Sequence, residues 1–381
     1  MIRPPEYGSK TMKFRIAPHG EAYDALLGTV RDAGGELRLH PAIGEGLARL
    51  TGTFGNWPAG PTYDRFHPVR DFADDELHAD LLRLKHITTA DILARSAGPR
   101  RMRIVPGPHV GVEMADQMYN MAVEVMNEGD GQCTFIAPLG PADWLEPLRD
   151  KFIRSCTDLS GFGYANMDEF TVAPGVIVPP EHPLSFRTLI DKEFVTPLVK
   201  KCGLKRGNVK IPNPYDVADY DDWLAARGVQ CCFAGKGWGA HIAFVDPSTG
   251  LVWILREDED EISVEIRTLT FDEMSGMGIM EVTLDAVSNM QTALHSGGGN
   301  WYETLVTAYS IGLRQILMAE RIRVWMDGFV VEGQTWQRWT AKTAFLPKFT
   351  GLLPATVTLA CEDVEYIFAL QVAERAASVL H

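Results

Sequence analysis

The spacing of apolar positions changes near residue 102. Before it, apolar residues recur at helical spacing over Ala22–Ala33 and Asp75–Lys85, and a third short helix is expected from the cap Thr88-Thr89 into ADILARS. Gly- and Pro-rich joints such as TFGNWPAGPTYDRFHP interrupt these helices. From Met102 onward, short apolar runs alternate with helical patterns, the rhythm of βαβ units in a mainly parallel sheet. The expected strands are CTFIAP (133–138), GYANM (163–167), VQCCFA (229–234), RVWMDGFVV (323–331) and TVTLAC (356–361). The expected helices between them are VEMADQMYNMAVEVMN, DWLEPLRDKFIR, SFRTLIDKEFVTPLVKK, YDDWLAARG, ETLVTAYSIGLRQILMAE and EYIFALQVAERAASVL. LVWILRE and ISVEIRTLT alternate with a period of two, which predicts an antiparallel pair, and the acidic REDEDE between them reads as a solvated turn.

This pattern gives an α/β fold class: a three-layer, Rossmann-like open sheet, mainly parallel, with helices on both faces. Residues 1–101 form an N-terminal, mainly helical extension with Gly/Pro-rich joints, ahead of a domain over 102–381. Composition agrees with a folded protein, at 46% hydrophobic and 23% charged residues. The net charge of −14 argues against nucleic acid or anionic lipid as partner, because both are bound by clustered Lys and Arg. It leaves room for an anionic small molecule in a locally positive pocket. No window approaches the ~18 consecutive apolar residues of a membrane helix, and MIRPPEYGSKTMKFR lacks a signal peptide's apolar core. The six scattered cysteines, without a C-x-x-C pair, read as free thiols of a cytoplasmic protein.

Ligands of open α/β sheets gather at the carboxyl ends of the strands. Three chemically loaded segments leave from such ends: APLGPAD, NMDEF and GKGWGAH. GKGWGAH contains a G-x-G, but the apolar run HIAFVDP follows it instead of a helix with a third glycine, so it is not a dinucleotide fingerprint. No G-K-[ST] occurs, which removes the Walker loop. The glycines instead let backbone approach a ligand closely. Beside them, His241 is either a general acid/base, oriented by Asp246 five residues on, or a satisfied structural histidine. Asp168 and Glu169 either raise each other's pKa in one pocket, as suits a base moving a carbon-bound proton, or serve helix capping and loop solvation.

Together these segments resemble the glucosamine-6-phosphate deaminase/isomerase family, with the related 6-phosphogluconolactonases sharing its fold. NMDEF followed by EHPLSF (181–186) resembles that family's N-M-D-E-Y and [DE]-H-P-x-S-[YF], and GAHIAFVDP resembles its D-G-H-I-A-F-N-E-P. MRIVP at 102 resembles the family's start, and SIGLRQILMAERIRVWMDG its T-V-G-V-G-T-…-G unit, so the resemblance covers about residues 102–365. It implies that Asp168 shuttles the proton between C1 and C2 of the opened sugar and that His241 opens the ring. Asp246 then matches the histidine's glutamate partner, one methylene shorter; Glu169 and His182 also match.

The departures fall on the ligand side. Gly239 stands for the family's aspartate two residues before the histidine, and Ala240 for the intervening glycine. The phosphate loop P-T-G-[GS]-T-P has become PLGPAD: Gly140 is kept, but Leu139, Pro141 and Ala142 replace the hydroxyl and the N–H-rich positions; proline has no N–H, and Asp143 repels phosphate. Glu265 replaces the phosphate-binding arginine, Arg267 lies two positions on, and the phosphate-binding lysine falls near Val331 with no lysine before Lys342.

Three functions compete. The first is an isomerase or amino-sugar deaminase for a sugar without a 6-phosphate, with Gly237, Trp238, Gly239 and Ala240 against the substrate, Trp238 stacking on it, and Glu265 or Asp143 binding hydroxyls or an ammonium. The second is a glucosamine-6-phosphate deaminase whose phosphate site is rebuilt from Arg267, Lys236 or the extension. The third is a non-catalytic sugar sensor. The extension is expected to decorate the domain or extend a subunit interface of a homo-oligomer, or else to form a lid through Trp57, Tyr63, Arg65 and His67. The chemistry calls for no metal and no organic cofactor, and no H-x-x-x-H or C-x-x-C spacing suggests one.

Overall fold

A computed structural model of the protein describes residues 1–16, 20–39, 68–140, 142–215, 217–296, 298–328, 330–331, 334–335 and 337–374. Two short strands in the extension, β1 (Met12–Arg15) and β2 (Glu36–Leu39), flank the helix Gly20–Asp32. The centre of the molecule is a seven-stranded sheet of β3 (Arg100–Val105), β4 (Cys133–Ala137), β5 (Phe162–Asn166), β8 (Val209–Lys210), β9 (Cys231–Gly235), β14 (Arg321–Met326) and β17 (Asp363–Ala369). Its order is β3-β17-β14-β9-β4-β5-β8 and every neighbouring pair is parallel. Helices cover it, so β4 and β5 are buried along their whole length. That burial explains their unbroken apolar runs, since a strand covered on both faces has no reason to alternate.

A second, smaller sheet joins β6 (Asp168–Ala173), β7 (Val176–Ile177), β12 (Met280–Thr283) and β13 (Thr307–Ser310) in the order β12-β13-β6-β7. A third is built on the expected antiparallel pair, β10 (Leu251–Asp258) and β11 (Glu261–Thr268), which turns through Glu259 and Asp260 at φ 46° and 67°. Positive φ at both central residues is what a two-residue hairpin demands. The extension completes this sheet, in the order β1-β11-β10-β2, and packs Tyr7, Val30, Phe72, Leu77 and Leu81 into a core with Trp253, Leu255, Val264 and Ile266. Arg31 pairs with Glu257 at 2.8 Å and Asp260 at 3.0 Å, and Arg15 with Glu261 at 2.8 Å, so the acidic turn is gripped as well as solvated. Strands β15 (Val330–Val331) and β16 (Gln334–Thr335) form a separate small hairpin.

Helices occur at Asp75–Leu84 and Thr89–Leu93 as expected, the latter with the Thr88 cap. Three elements differ. TVTLAC lies in a 3-10 helix, Pro354–Ala360, because Pro354 sets a helical φ and the Thr356 and Thr358 hydroxyls donate back to the Leu353 and Ala355 carbonyls at 2.8 Å. The strand lies just beyond it in β17, so the expected helix EYIFALQVAERAASVL runs as a strand through Ala369 and as helix only over Leu370–Ala373, with residues 375–380 outside those described. The short apolar run YIFA cannot be told from a buried helix by period alone. ETLVTAYSIGLRQILMAE splits into β13 and the helix Leu313–Leu317 around Gly312, where any side chain would strike the Met277 carbonyl. RVWMDGFVV ends as a strand at Met326, broken by Gly328 at φ 61°. Among the described residues no helix is long and apolar enough to cross a membrane.

Candidate active site

From β4 the chain moves outward in the sheet through β5 to β8, then returns to β9 and continues the other way through β14 and β17. Where the winding reverses, loops leaving adjacent strands diverge and leave a crevice. The loops after β4, β5 and β9 leave from this point, and they carry the three segments singled out in the sequence.

Asp168 opens β6 two residues after β5 ends. The register of β6 and β13 sets Ser310 directly opposite it, and the Ser310 hydroxyl donates to Asp168 Oδ1 at 2.6 Å. The Phe244 N–H donates to the same oxygen at 3.1 Å, which ties the loop after β9 to β6. Burial pushes the Asp168 carboxyl up to about 7, even though Ser310, nearby His241 and the Phe244 N–H all favour its charged form. A carboxyl that titrates near neutrality can both take and return a proton.

Glu169 has the opposite fate. Strand alternation turns it to the other face, where its carboxylate accepts the N–H groups of Phe186 at 3.0 Å and Arg187 at 2.7 Å, at the start of helix Phe186–Ile190. The two carboxylates face different surroundings, and in the structure Glu169 caps this helix.

His241 sits in a compact loop. The Gly237 N–H donates to the His241 carbonyl at 3.1 Å, and the Ala240 N–H donates to the Gly237 carbonyl at 3.0 Å. The imidazole lies flat on the bare Cα of Gly237, where a Cβ would come within 1.9 Å of Nε2, so only glycine fits there. Ala240 takes φ 60°, the conformation that favours the glycine of the family pattern. On the other side, His241 Nδ1 is 2.9 Å from Asp246 Oδ1 and 2.7 Å from the Ser288 hydroxyl. That hydroxyl donates to the same Asp246 oxygen at 2.5 Å, and the Asp285 N–H donates to Oδ2 at 2.9 Å. Burial lowers the affinity of the imidazole for a proton, but Asp246, with Asp168 and Asp285 behind it, more than offsets this and raises its pKa. Asp246 holds the Nδ1 side, which leaves Nε2 for chemistry.

Ser288, Ser310 and Asp285 were not singled out in the sequence. Asp285 lies just ahead of helix Ala286–Ser296 and Ser288 within its first turn. Burial, then Asp246, pushes the Asp285 carboxyl up to about 7, and the Ser248 N–H donates to it at 3.2 Å. The only sequence signal was a polar D-x-x-S opening an amphipathic helix, and nothing in it pointed to a histidine some 45 residues earlier.

The other predicted residues are placed less centrally. Trp238 is buried, its N–H donating to Gln291 Oε1 at 2.8 Å and its ring edge-on to His295 at 6.2 Å, so it offers no open face for a sugar. Leu139 is buried, Gly140 is exposed beside the end of β9, and Pro141 lies outside the described residues, as do Trp57, Tyr63, Arg65 and His67. Gly239 has room: an added Cβ would stand 3.7 Å from Pro247 and 3.8 Å from Asp246 Oδ1. Glu265 and Arg267 lie on β11, each taken by an ion pair. Glu265 holds Arg256 at 2.7 Å, and Arg267 is chelated by Glu273 at 2.8 and 2.9 Å. Both charges of this pair are thus engaged by neighbouring side chains, and the Trp238 ring is packed inside the protein. Lys236 is buried with its ammonium on the Thr343 hydroxyl at 2.9 Å and 5.5 Å from the Tyr366 ring centre.

No family model matches the chain. A glucosamine-6-phosphate deaminase from an Exiguobacterium species is 29% identical over 122 residues, 32% of this chain; the match spans less than half, 46%, of that relative's length. The structure superposes on that of a monomeric glucosamine-6-phosphate deaminase with a TM-score of 0.54 at 14% identity, over 71% of this chain and 98% of the other. The chain has the glucosamine-6-phosphate deaminase fold. A 6-phosphogluconolactonase from Leishmania guyanensis gives a TM-score of 0.49 at 11% identity, over 73% and 98% of the two chains. In this deaminase fold, Asp168 and the His241–Ser288–Asp246 cluster lie together at the sheet's reversal, while the charges on β11 are neutralised by one another.

Proposed function

We propose that the protein is a sugar or amino-sugar isomerase/deaminase that opens a pyranose ring and then transfers a proton between C2 and C1, on a substrate without the usual 6-phosphate. His241 Nε2 takes the proton of the C1 hydroxyl and passes one to the ring oxygen as the C1–O bond breaks and C1 becomes a carbonyl, and Asp246 and Ser288 hold the imidazole in position. Asp168 takes the C2 proton while the C1 oxygen takes one from solvent, which gives the enediol or enolamine. Asp168 then returns the proton to C1 as C2 forms its double bond to nitrogen, or to oxygen with the C2 hydroxyl proton leaving to solvent. An amino sugar then loses ammonia on hydration at C2, and a hydroxy sugar ends as the ketose.

The observation that carries this reading is Asp168, a buried carboxyl raised to about 7, with no Lys or Arg paired to it among the described residues. A carboxylate locked to an arginine is a poor base; this one is free to cycle. The reading of a substrate without a 6-phosphate is supported by Asp143 in the altered loop after β4 and by Arg267 and Lys236 being engaged elsewhere. A test is to incubate the protein in D2O with free aldoses and amino sugars and, separately, with their 6-phosphates, and follow the C2–H signal by NMR. Exchange with at least one unphosphorylated sugar is expected; exchange confined to phosphosugars would overturn the substrate assignment. The glycine at 239 favours a second reading, a sugar sensor. It predicts ligand-induced thermal stabilisation with no C2 exchange for any sugar.

A further inference from the structure

A cationic cavity lies between the helical segment over residues 186–202 and the edge strand β8, and neither His241 nor Asp168 is among its lining residues. It encloses about 300 Å³ and is lined by Arg187, Asp191, Arg206, Lys210, Asn213 and Tyr220 among others. That volume is at the lower end for a small-molecule site. The helical segment loosens into a π turn over Asp191–Val195, and both end residues of that turn face the cavity. Such turns interrupt the regular hydrogen-bond ladder and recur at functional sites.

The charges inside do not balance. Three cations, Arg187, Arg206 and Lys210, face one lining carboxylate, Asp191, which pairs with Arg206. Lys210 pairs with Asp219, a mostly exposed residue on the rim. No carboxylate among the described residues pairs with the Arg187 guanidinium. The lining therefore carries two positive charges in excess, or one when Asp219 is counted, on a protein whose net charge is −14. Two guanidinium forks and an ammonium suit the charge of about −1.5 to −2 on a phosphate monoester better than a single carboxylate. The apolar Ile190, Val195 and Ile211 give such a ligand's carbon skeleton a wall.

The cavity also touches the frame of the candidate active site. The Tyr220 hydroxyl donates to the Asn166 carbonyl at 2.7 Å, and Asn166 Nδ2 donates to the Asp168 carbonyl at 2.6 Å. Arg187 itself donates its backbone N–H to Glu169, the neighbour of Asp168. We infer that this cavity is a second, effector-type site for a small phosphate monoester, held by Arg187, Arg206 and Lys210. It stands apart from the catalytic reading, because it uses none of the residues assigned to ring opening or proton transfer.

The experiment is calorimetric titration of the full chain with glycerol 3-phosphate, with glycerate and glycerol as the carboxylate and neutral comparators. Saturable binding of glycerol 3-phosphate is expected, with glycerate at least about tenfold weaker and glycerol silent. Arg187→Gln and Lys210→Met should each weaken binding about tenfold, whereas Asp168→Asn should leave it unchanged. Neither cavity variant removes a buried side chain, and unaltered circular dichroism and melting confirm that they fold. Equal affinity for glycerate, or full affinity in the folded Arg187→Gln protein, would overturn the assignment. Loss of binding in Asp168→Asn would move the phosphate to the catalytic crevice and overturn it equally, while leaving the C2-exchange test untouched.

Discussion

Asp168 and Glu273 are both carboxylates close to strand ends, yet their surroundings drive them apart. Asp168 is pushed up to about 7 by burial, with only the Ser310 hydroxyl, the charge of His241 and a backbone N–H to favour its ionised form. Glu273 is held down at about 2, first by its hydrogen bonds to Arg267, with the Thr270 cap adding to them. The contrast extends to their regions. At the sheet's reversal, Asp168 and Lys236 are buried and Asp285 is partly buried, none with a full opposite partner, and each is shifted to about 7. On the β10–β11 sheet, Arg256, Glu265, Arg267 and Glu273 cancel one another. Unpaired burial costs stability and leaves groups able to change protonation; pairing secures the structure and removes them from chemistry.

The largest expected effect tests the first half of that contrast. Asp168→Asn keeps the shape and the Ser310 contact but removes the base, so C2 exchange should fall by about 10³-fold or more. Because the folded pKa lies above the unfolded value of 3.8, ionised Asp168 weakens the fold as pH rises from about 4 through 7. The neutral amide escapes that penalty, so Tm at pH 8 should not drop. A variant that still exchanged the C2 proton at the wild-type rate would remove Asp168 from the mechanism. The wild-type rate itself should climb with pH through about 7, since the base must be ionised.

How far this was legible in the sequence follows from what each signal depends on. The parallel strands and the hairpin announced themselves because apolar runs and two-residue alternation are local. Asp168 and His241 stood out because each follows an apolar strand, one beside a second carboxylate and the other among glycines. Ser310 and Ser288 were missed because their role is set by register and helix placement: Ser310 matters only because β13 pairs with β6, and that strand lay hidden in an apparently helical stretch. β1 and β2 were missed because each has four residues and pairs only with a hairpin more than two hundred residues away. Glu265 and Arg267 were expected to meet ligand because Glu265 stands where the resembled family has its phosphate-binding arginine, with Arg267 two positions on. Their pairing with Arg256 and Glu273 was invisible without the fold.

A smaller effect is expected at Lys236. Its ammonium is lowered from 10.5 to about 7 by burial alone, and the Thr343 hydroxyl is its hydrogen-bond partner. The unfolded chain holds the proton more tightly, so wild-type stability rises with pH between about 7 and 10.5 and carries the full penalty below 7. Lys236→Met fills similar volume without charge, and Thr343 keeps its bond to the Thr340 carbonyl at 2.6 Å. Chemical denaturation at pH 7 should show the variant more stable by about 2–4 kcal/mol, with the gap closing towards pH 10. A variant destabilised at both pH values would mean that the ammonium is satisfied in the fold and that the contrast between the two regions is false.

The smallest effect lies on the paired side. Glu273→Gln removes the charge that chelates Arg267 but preserves the shape of the cap at Thr270. Half-exposed ion pairs contribute little, so the loss at pH 7 should be about 1 kcal/mol. Its sign with pH is opposite to that of Lys236→Met. The folded pKa of about 2 lies below the unfolded value of 4.5, so the wild-type advantage is complete above 4.5 and disappears as pH falls through about 2. Denaturant midpoints of the two proteins should therefore converge between pH 4.5 and 2, while C2 exchange at pH 7 stays at the wild-type rate. A tenfold loss of exchange would show that the β11 charges reach the substrate after all, and that their pairing does not take them out of the chemistry.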